Sequence, residues 1–339
     1  MMMIESSGIR LLDRSGIAEA RRTAVCHAER AGFGDAGRSN VAIVATELAS
    51  NLLRHAQGGV LGITSDPPPN GRVQLVAVDR GPGIGDLHRS FADGYSSAGS
   101  AGVGLGAVAR LSTFLDVYST PQGTVLVAEL ALAAETAPAR PAGAAPSARA
   151  CIGGFTLAKE GQDTNGDAWE YRRVHGGLAV LVCDGLGHGK LASRAARAAV
   201  DTLRGTEWRG SKEMLAAIDA ALGATRGAAA AIAFLEPAAG RLRYCGVGNI
   251  AARIVSGDGS RHLVSGNGIL GHTGARLLEF DHPFERGSIL VMHSDGISTR
   301  WQPADLGGVW ERHPALVAGL LYRDFARGND DVAAVVVRP

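Results

Sequence analysis

This sequence of 339 residues has very little lysine, no long apolar run and no excess charge of either sign. Lysine occurs only at Lys159, Lys190 and Lys212, a bias toward arginine to which we attach no function. No stretch approaches the roughly 18 apolar residues of a membrane span, and the first residues contain no signal-peptide run. We therefore expect a cytoplasmic protein with no membrane partner.

Excess charge is absent because 34 basic side chains stand against 33 acidic ones, which gives a formal net charge of +1. A nearly neutral chain has no general electrostatic field for nucleic acid, so nucleic acid is not an expected partner. Any phosphate chemistry then requires local sites. The sequence also contains no GxxxxGK[ST] motif, which excludes a Walker-type nucleotide site.

Paired cysteines are missing as well. Cys26, Cys151, Cys183 and Cys245 lie far apart in the sequence, with no CxxC pair and no metal-finger spacing. We expect all four to be reduced thiols in the core of a cytosolic protein.

The length predicts two domains, because each half is large enough to bury a core of its own. Residues 131–150, ALAAETAPARPAGAAPSARA, are rich in alanine and proline and lack an alternating apolar pattern. We predict a solvated linker there, between one domain of residues 1–130 and another of residues 151–339.

The first domain has the pattern of helices followed by strands. Helical spacing of apolar residues covers 17–31 and 41–56, and strand-like runs cover 60–64, 72–78, 114–119 and 124–130, with a short helix at 107–111. Ser39 is available to cap the second helix, and Gly58 and Gly59 to end it. The pattern predicts an α/β layer.

The second domain shows many strands around two helices. Strand-like runs cover 152–158, 168–174, 178–183, 230–235, 241–246, 251–255, 288–292 and 332–337, and helical spacing covers 191–203 and 214–225. The run LAVLVC at 178–183 contains no polar residue, as expected for a strand covered on both faces. We predict sheets packed face to face with helices outside, and a two-domain α/β (α+β) fold class.

A first candidate site combines a polar helix face with glycine-rich segments. Glu47, Asn51 and His55 recur every fourth residue, so they share one face of a helix. Alone, they are equally well explained as a paired surface stripe. The downstream segments DRGPGI, GVGLG and GT favour a nucleotide pocket, because their glycines let a polyphosphate approach the backbone. Asp79, at a strand end, can accept a hydrogen bond from an adenine amino group.

Together, and in this order, these segments resemble the GHKL (Bergerat-fold) ATP-binding domain over residues 8–130. The resemblance implies an α/β sandwich that binds ATP and Mg²⁺. By that resemblance Glu47 would be the general base and Asn51 would hold Mg²⁺, while Asp79 would read adenine with support from Thr124. The residues that would shape the pocket and its lid are Gly81, Gly83, Gly102, Gly104 and Gly106.

Within that family, the run DGYSSAG at 93–99 is similar to the lid of the small RsbT-like serine kinases of bacterial partner-switching systems. The sequence shows no membrane span and no phospho-accepting helical hairpin, which argues against a sensor histidine kinase. The role of His55 stays open, with a structural role favoured.

A second candidate site consists of aspartates at strand ends. Asp184 follows LAVLVC, Asp295 follows SILVMH, the pair Asp330 and Asp331 precedes VAAVVV, and Asp167 lies before an earlier strand. Any one of these positions taken alone is more simply a turn. Converging carboxylates repel one another unless cations neutralise them, and oxygen ligands suit Mg²⁺ or Mn²⁺.

The motifs NGDAW, DGLGHG, GVGNI, SDGI and NDD resemble, in order, a PP2C-type phosphatase of the short bacterial SpoIIE/RsbX-like form over the whole second domain. The resemblance implies an αββα sandwich. It also implies two Mn²⁺ or Mg²⁺ ions held by Asp184, the carbonyl of Gly185, Asp295 and Asp330, with Asp167 as an outer ligand. Such ions would activate a bridging water for phosphoester hydrolysis, with Asp184 and Asp295 as catalytic residues.

Two points stay open in this second site. The substrate-gripping arginine of longer family members is missing near the domain start, unless Arg172, Arg173 or Lys159 replaces it. His188 could protonate the leaving oxygen, but a turn histidine is the favoured interpretation.

The favoured hypothesis is a bifunctional regulator whose first domain phosphorylates serine or threonine on a partner and whose second domain removes the phosphate. By resemblance, the partners are STAS-domain antagonist or scaffold proteins of a bacterial stress response, with a sigma factor or other output protein as a further candidate. Alternatively, the ATP domain is only a binding or sensing module attached to a phosphatase, although a pure clamp needs no base such as Glu47. A homodimer through the ATP domain is compatible with the sequence.

Overall fold

The computed structural model describes residues 4–87, 104–132, 151–257, 259–272 and 274–338. The chain divides into two compact units, residues 1–145 and 146–339, and each is described by itself. Gly102, the segment 93–99 and most of the predicted linker lie outside the described residues. The linker boundaries at 131 and 150 therefore stay a prediction.

The first unit is built on a five-stranded antiparallel sheet in the order β1-β2-β3-β5-β4. Its elements are β1 (Glu5–Leu11), α1 (Arg14–Arg30), α2 (Asp35–Ala56), β2 (Gly59–Asp66), β3 (Arg72–Val78), α3 (Gly104–Leu111), β4 (Phe114–Thr120) and β5 (Gly123–Ala131). Alternate strand residues such as Leu61, Leu75 and Leu126 share one core with Val44 and Leu48 of α2. The period of two along each strand places these side chains on the face that the helices cover.

Helix α2 positions the first candidate site, and its start differs from the prediction. It begins at Asp35 after Gly34, so Ser39 lies inside the helix and is not its cap. The first turn, DAGR, has no apolar spacing that could have revealed it. The predicted end is confirmed: Gln57 adopts a left-handed conformation, and the Gly58 N–H donates to the Leu52 carbonyl at 3.0 Å.

The second unit contains two five-stranded antiparallel sheets, β13-β10-β9-β8-β7 and β12-β11-β14-β15-β6. The strands are β6 (Cys151–Leu157), β7 (Asp167–Val174), β8 (Gly177–Gly185), β9 (Ala228–Glu236), β10 (Arg241–Val247), β11 (Ala251–Ser256), β12 (Gly259–Leu263), β13 (Glu279–Pro283), β14 (Ile289–His293) and β15 (Val332–Arg338). The helices are α4 (Lys190–Gly205), α5 (Ser211–Leu222) and α6 (Pro314–Phe325).

These elements form four layers. Helices α4 and α5 pack on β7 to β10, α6 packs on β6 and β15, and the two sheets contact each other through β15, β7 and β8. The predicted αββα sandwich is confirmed. The run 178–183 of β8 is buried along its whole length, as its uninterrupted apolar sequence predicts.

The thiols differ from the prediction at one position. Cys183 and Cys245 are buried, but Cys26 is exposed on α1, so the expectation of a core thiol is wrong there. Position 26 falls on the solvent side of a helix whose buried stripe consists mainly of alanines. Within the described ranges, no helix is long and apolar enough to cross a membrane.

Candidate functional site

The first candidate site lies where α2 faces the turn after β3. Glu47, Asn51 and His55 line a cavity of about 340 Å³ together with Arg54. Their four-residue spacing therefore places them at one cavity, as the sequence predicts. The remaining wall includes Asp79, Pro82, Gly83, Ile84, Gly85, Gly104, Leu105 and Thr124.

Asp79 is anchored at the end of β3 through one carboxylate oxygen. The backbone N–H groups of Gly81 and Thr124 donate to its Oδ1 at 2.8 and 3.1 Å, and its own N–H donates to the Thr124 carbonyl at 2.9 Å. No described residue donates a hydrogen bond to its Oδ2. A fixed carboxylate with one free oxygen is suited to an exocyclic amino group such as that of adenine.

Asn51 gives a second, independent indication of a ligand. Its Nδ2 atom is buried and has no hydrogen-bond partner among the residues that the structure describes. A buried amide without a partner destabilises the fold unless water or a ligand satisfies it. The side-chain oxygen of Asn51 is a ligand of the kind that Mg²⁺ prefers. The cavity lining therefore fits a nucleotide with Mg²⁺.

Gly83 fixes the turn that closes the cavity. It has a φ of +78°, and a Cβ atom there would overlap the carbonyl oxygen of Thr120. The next residue, Ile84, donates its N–H to the Ser119 hydroxyl at 2.7 Å, and that hydroxyl lies 2.9 Å from the hydroxyl of Thr124. Only glycine adopts this conformation without strain.

Replacing Gly83 by alanine is expected to destabilise the first unit by about 1–3 kcal/mol and to weaken ATP binding strongly, because the turn must shift. Thermal unfolding and titration with a fluorescent ATP analogue measure both effects. Gly85→Ala is the matched control, since Gly85 also lines the cavity but its added Cβ would meet nothing within 4 Å. Similar losses in both variants would contradict this account of the turn.

Only some of the five glycines that the sequence analysis assigned to the first site line its cavity. Gly83 and Gly104 line the cavity, whereas Gly81 serves as a donor to Asp79, and Gly106 is buried inside α3. Gly102 lies outside the described residues. Arg54, which the sequence analysis did not select, lines the cavity three residues after Asn51, a spacing that could have revealed it.

The second candidate site lies at one edge of the second unit. Asp167 of β7 is directly opposite Asp184 of β8 in the antiparallel register. Asp295 follows β14, Asp330 precedes β15, and these two strands are hydrogen-bonded neighbours. Four strand ends, two from the β7–β8 pair and two from the neighbouring strands β14 and β15, therefore bring carboxylates to one place.

Burial and mutual repulsion raise the pKa values of these carboxyl groups. Loss of hydration, and then the charges of Asp295 and Asp330, raise the pKa of Asp184 to about 7. Burial and the charge of Asp330 raise the pKa of Asp295, which Arg327 opposes. Burial, followed by the charge of Asp184, raises the pKa of Asp167 well above its ordinary value. The carboxylates thus lie close enough to repel one another.

The chemistry of this cluster fits a hard divalent cation. All its donors are oxygens, and the Oδ2 atom of Asp167 is buried without a hydrogen-bond partner. In the described ranges, however, no three His, Cys, Asp or Glu side chains are arranged to hold one ion together. The ligand set of Asp184, Gly185, Asp295, Asp330 and Asp167 therefore stays a prediction.

Gly185 has a structural requirement of its own. A Cβ atom at this position would overlap the carbonyl oxygen of Ala192, so only glycine allows the first turn of α4 to pack against the end of β8. Its N–H donates to the Gly166 carbonyl at 3.1 Å. This close packing leaves the Asp184–Gly185 segment fixed at the edge of the sheet.

The two adjacent aspartates before β15 have different surroundings. Asp331 is 2% exposed, and its carboxylate accepts the backbone N–H groups of Lys159 at 2.7 Å and Gly166 at 3.0 Å. Both oxygens of Asp331 thus brace neighbouring loops. The charge of Asp330 raises the pKa of Asp184 and of Asp295, whereas the charge of Asp331 acts on Asp167. This difference favours Asp330 as the ligand.

Comparison with known proteins finds two families along the chain. The profile of the histidine kinase-like ATPase domain matches residues 12–130, and that of stage II sporulation protein E (SpoIIE) matches residues 175–339. The serine/threonine-protein kinase RsbT of Bacillus subtilis (strain 168) is 33% identical over 111 residues, which are 32% of this chain and 83% of that protein. The chain is a fusion of a histidine kinase-like ATPase domain and a PP2C-like SpoIIE domain.

Two further relatives agree with this assignment. The phosphoserine phosphatase RsbX of Bacillus subtilis (strain 168) is 27% identical over 145 residues, or 42% of this chain and 73% of that protein. A solved structure described as a bacterial stressosome adapted to control secondary messenger signalling is 31% identical, with a TM-score of 0.53, over 56% of this chain and all of that one. The predicted resemblance to both families is confirmed.

The fusion thus combines a kinase-like domain with a PP2C-type phosphatase domain, which is the domain composition of partner-switching regulators. The ATPase family implies ATP binding, and the phosphatase family implies divalent metal ions. We refer to the two units below as the ATPase domain and the phosphatase domain.

Sequence analysis missed two residues of the phosphatase site. Asn249 donates its Nδ2 to Asp295 Oδ2 at 2.8 Å, and Arg327 lowers the pKa of Asp295. The segment GVGNI was recognised as a motif, but only the folded chain shows that its amide reaches Asp295. Arg172 does not replace the arginine that binds substrate phosphate in longer family members. Its Nη1 already donates hydrogen bonds to the carbonyls of Leu203 and Thr206 at 3.0 and 2.6 Å.

The raised pKa of Asp184 predicts a pH-dependent stability in the absence of metal. A carboxyl with a pKa of about 7 in the folded state and about 3.9 in the unfolded state takes up a proton on folding between these values, so its contribution to stability falls as pH rises from about 4 to about 7 and changes little above that. In EDTA, the melting temperature of the phosphatase domain is expected to decrease from about pH 5 to about pH 7.5, the range below and around this folded-state pKa. The decrease should be smaller in Asp184→Asn, whose amide does not titrate.

Comparing the wild type with Asp184→Asn removes the titrations of groups that do not interact with Asp184. Burial lowers the pKa of His27 and of His293 to about 4, but both histidines are present in wild type and variant, so their contributions cancel. Differential scanning calorimetry at several pH values gives the difference directly. Melting curves that move in parallel with pH would contradict the clustering of Asp184 with the other carboxylates.

Proposed function

We propose that this fusion is a bifunctional partner-switching regulator. Its ATPase domain transfers the γ-phosphoryl group of ATP to serine or threonine of a partner, and its phosphatase domain removes phosphate from the same or a related partner. The observation that carries the proposal is that one chain contains both a nucleotide-type cavity lined by Glu47, Asn51 and Asp79 and a cluster of carboxylates on a PP2C-like fold.

In the ATPase domain, the free Oδ2 of Asp79 would accept a hydrogen bond from the adenine amino group, while Asn51 would hold Mg²⁺. Glu47 lies one turn before Asn51 on the same wall of the cavity. There it would take the proton of the attacking hydroxyl as a general base. Glu47 also favours a kinase over a domain that only binds a partner under nucleotide control, because such a binding module needs no general base.

In the phosphatase domain, Asp184, Asp295, Asp330 and the carbonyl of Gly185 would hold two Mn²⁺ or Mg²⁺ ions, with Asp167 as an outer support. When bound, such ions supply an activated water and neutralise charge on the phosphoryl group. Asn249 orients Asp295 through its 2.8 Å hydrogen bond. Asp331 keeps the loops at Lys159 and Gly166 in register with the start of β15.

The partners proposed for this chain are STAS-domain antagonist or scaffold proteins of a cytoplasmic stress-response switch. The similarity to RsbT, to RsbX and to a stressosome structure supports this choice. The alternative is an anti-sigma-like role, in which the ATPase domain only binds an output protein. The experiment must distinguish this role from kinase activity. Uncontrolled action of both domains on one partner would merely consume ATP, so a signal must unbalance them.

The test is transfer of label from γ-radiolabelled ATP to a candidate STAS-domain protein in the presence of Mg²⁺ and Mn²⁺. With Asp184→Asn, which disables dephosphorylation, we expect label to accumulate on the partner. With the wild type, we expect label to appear and then to be released as inorganic phosphate. A partner that never acquires label, even with the Asp184 variant, would leave the ATPase domain as a binding or sensing module.

A further inference from the structure

One face of α4 carries positive charge that no neighbour neutralises. Lys190, Arg194 and Arg197 are exposed, and their spacings of four and three place them along one side of the helix over about 10 Å. None of them forms an ion pair with a residue that the structure describes. We call these three residues the α4 basic face.

The α4 basic face borders a groove of about 480 Å³ that Thr164 and Ser193 also line. Asp201 lies in the same groove, but its carboxylate pairs with Arg204 at 3.7 Å. Like charges one turn apart on a helix destabilise it. Three unpaired cations in a row therefore cost folding free energy that an external anion would offset.

The α4 basic face is continuous with the phosphatase site. Helix α4 begins directly after the loop 186–189, which follows Asp184 and Gly185 at the end of β8. Two large apolar side chains are exposed beside this loop, Leu186 at 36% and Leu191 at 49%. The guanidinium of Arg226, from a later segment of the chain, lies next to Gly187 of this loop. Apolar contacts with a charged rim are the composition of a protein–protein interface.

We propose that the α4 basic face binds acidic side chains that flank the phosphorylated residue of a phosphoprotein substrate. The inference rests on the proposed phosphatase function, because that substrate must approach the edge at which Asp184 lies. With a formal net charge of only +1, the chain as a whole attracts anions weakly, so a local basic face decides which phosphoproteins are favoured. Acidic flanks would be drawn along α4 while the phosphate reaches the divalent cations that the carboxylate cluster would hold.

Synthetic phosphoserine peptides test this preference without knowledge of the natural partner. One peptide carries four glutamates beside the phosphoserine, and a matched peptide carries four glutamines. Wild type in Mn²⁺ is expected to dephosphorylate the glutamate peptide with a kcat/KM roughly tenfold higher, and the ratio should shrink as salt increases. The double variant Arg194→Glu/Arg197→Glu should lose the preference, whereas turnover of p-nitrophenyl phosphate stays unchanged.

Arg286→Glu is the matched control, because Arg286 is exposed at the opposite end of β14 from Asp295. It should retain the preference for the glutamate peptide. Equal rates for the two peptides in the wild type, with normal turnover of p-nitrophenyl phosphate, would overturn the docking proposal and leave the phosphatase intact. No turnover of any substrate would instead overturn the proposed function.

Binding of duplex DNA is the alternative use of the α4 basic face. If Arg194 and Arg197 retain duplex DNA and the wild type shows no peptide preference, the face binds nucleic acid, and the docking proposal is overturned.

Discussion

Asp295→Asn is expected to lower turnover of p-nitrophenyl phosphate in Mn²⁺ by at least about a hundredfold, since even residues that only support metal ligands cost up to that much. Asp295 belongs to the cluster in which carboxylates raise one another's pKa, and Asn249 holds its Oδ2 in place. An amide keeps the shape of the side chain but removes the negative charge that attracts a divalent cation. A steady-state assay over a range of Mn²⁺ concentrations measures the loss.

The control for this prediction is Asp281→Asn. Asp281 is an exposed carboxylate on β13, in the same domain, and its nearest ion pair is with Arg241 at 3.9 Å. This substitution should leave turnover within about twofold of wild type, as surface changes usually do. Metal-independent turnover in the wild type, or similar rates for both variants, would contradict a metal-dependent mechanism through Asp295.

Glu47→Ala is expected to reduce phosphotransfer from ATP to the partner by about 10²- to 10⁴-fold, the usual contribution of a general base. ATP binding should remain within about threefold of wild type, because Glu47 lies at the wall of the cavity and the proposed acceptor for the adenine amino group is Asp79. The assay is best done in an Asp184→Asn background, so that the phosphatase domain cannot remove the label. Equilibrium binding of a fluorescent ATP analogue gives the second quantity.

Glu19→Ala provides the matched control for that prediction. Glu19 is exposed on α1, outside the cavity that Glu47 lines, so its removal should change neither binding nor transfer. Phosphotransfer that persists at the wild-type rate in Glu47→Ala would exclude Glu47 as the base. Loss of ATP binding in parallel with transfer would instead show that Glu47 acts in binding.

The sequence predicts most of this fold where the signal is local. Uninterrupted apolar residues at 178–183 correctly predict a doubly covered strand, and four-residue spacing correctly predicts that Glu47, Asn51 and His55 share one side of a helix. Three kinds of element escape prediction. Strand β1 contains serine and glycine and is held by pairing with β2, and the edge strands β12 and β13 are mostly exposed.

Helix α6 is missed for the opposite reason. Its sequence, PALVAGLLYRDF, is apolar around nearly its whole circumference, and its residues from Pro314 to Arg323 are all buried. A helix without a polar face shows no periodic pattern, so spacing cannot distinguish it from a strand or a core segment. Its identity follows only from its packing on β6 and β15.

At the phosphatase site, aspartates at strand ends indicate that several carboxylates come together in space. They do not show which carboxylate oxygens are available to bind a metal ion and which are used in hydrogen bonds. The assignment of Asp331 as a brace depends on its hydrogen bonds with Lys159 and Gly166, which are more than 160 positions away in sequence. The contact of Asn249 with Asp295 is likewise long-range. Such partners are set by the register of two sheets, which composition and spacing do not determine.

The most direct test of the account is the number of Mn²⁺ ions that the nucleotide-free chain binds, counted by electron paramagnetic resonance of free Mn²⁺ during a titration. We expect two ions per chain in the wild type and in Asp281→Asn, and the loss of at least one in Asp295→Asn. Identical numbers and affinities in wild type and Asp295→Asn would contradict the claim that the carboxylates at this edge of the phosphatase domain hold divalent cations.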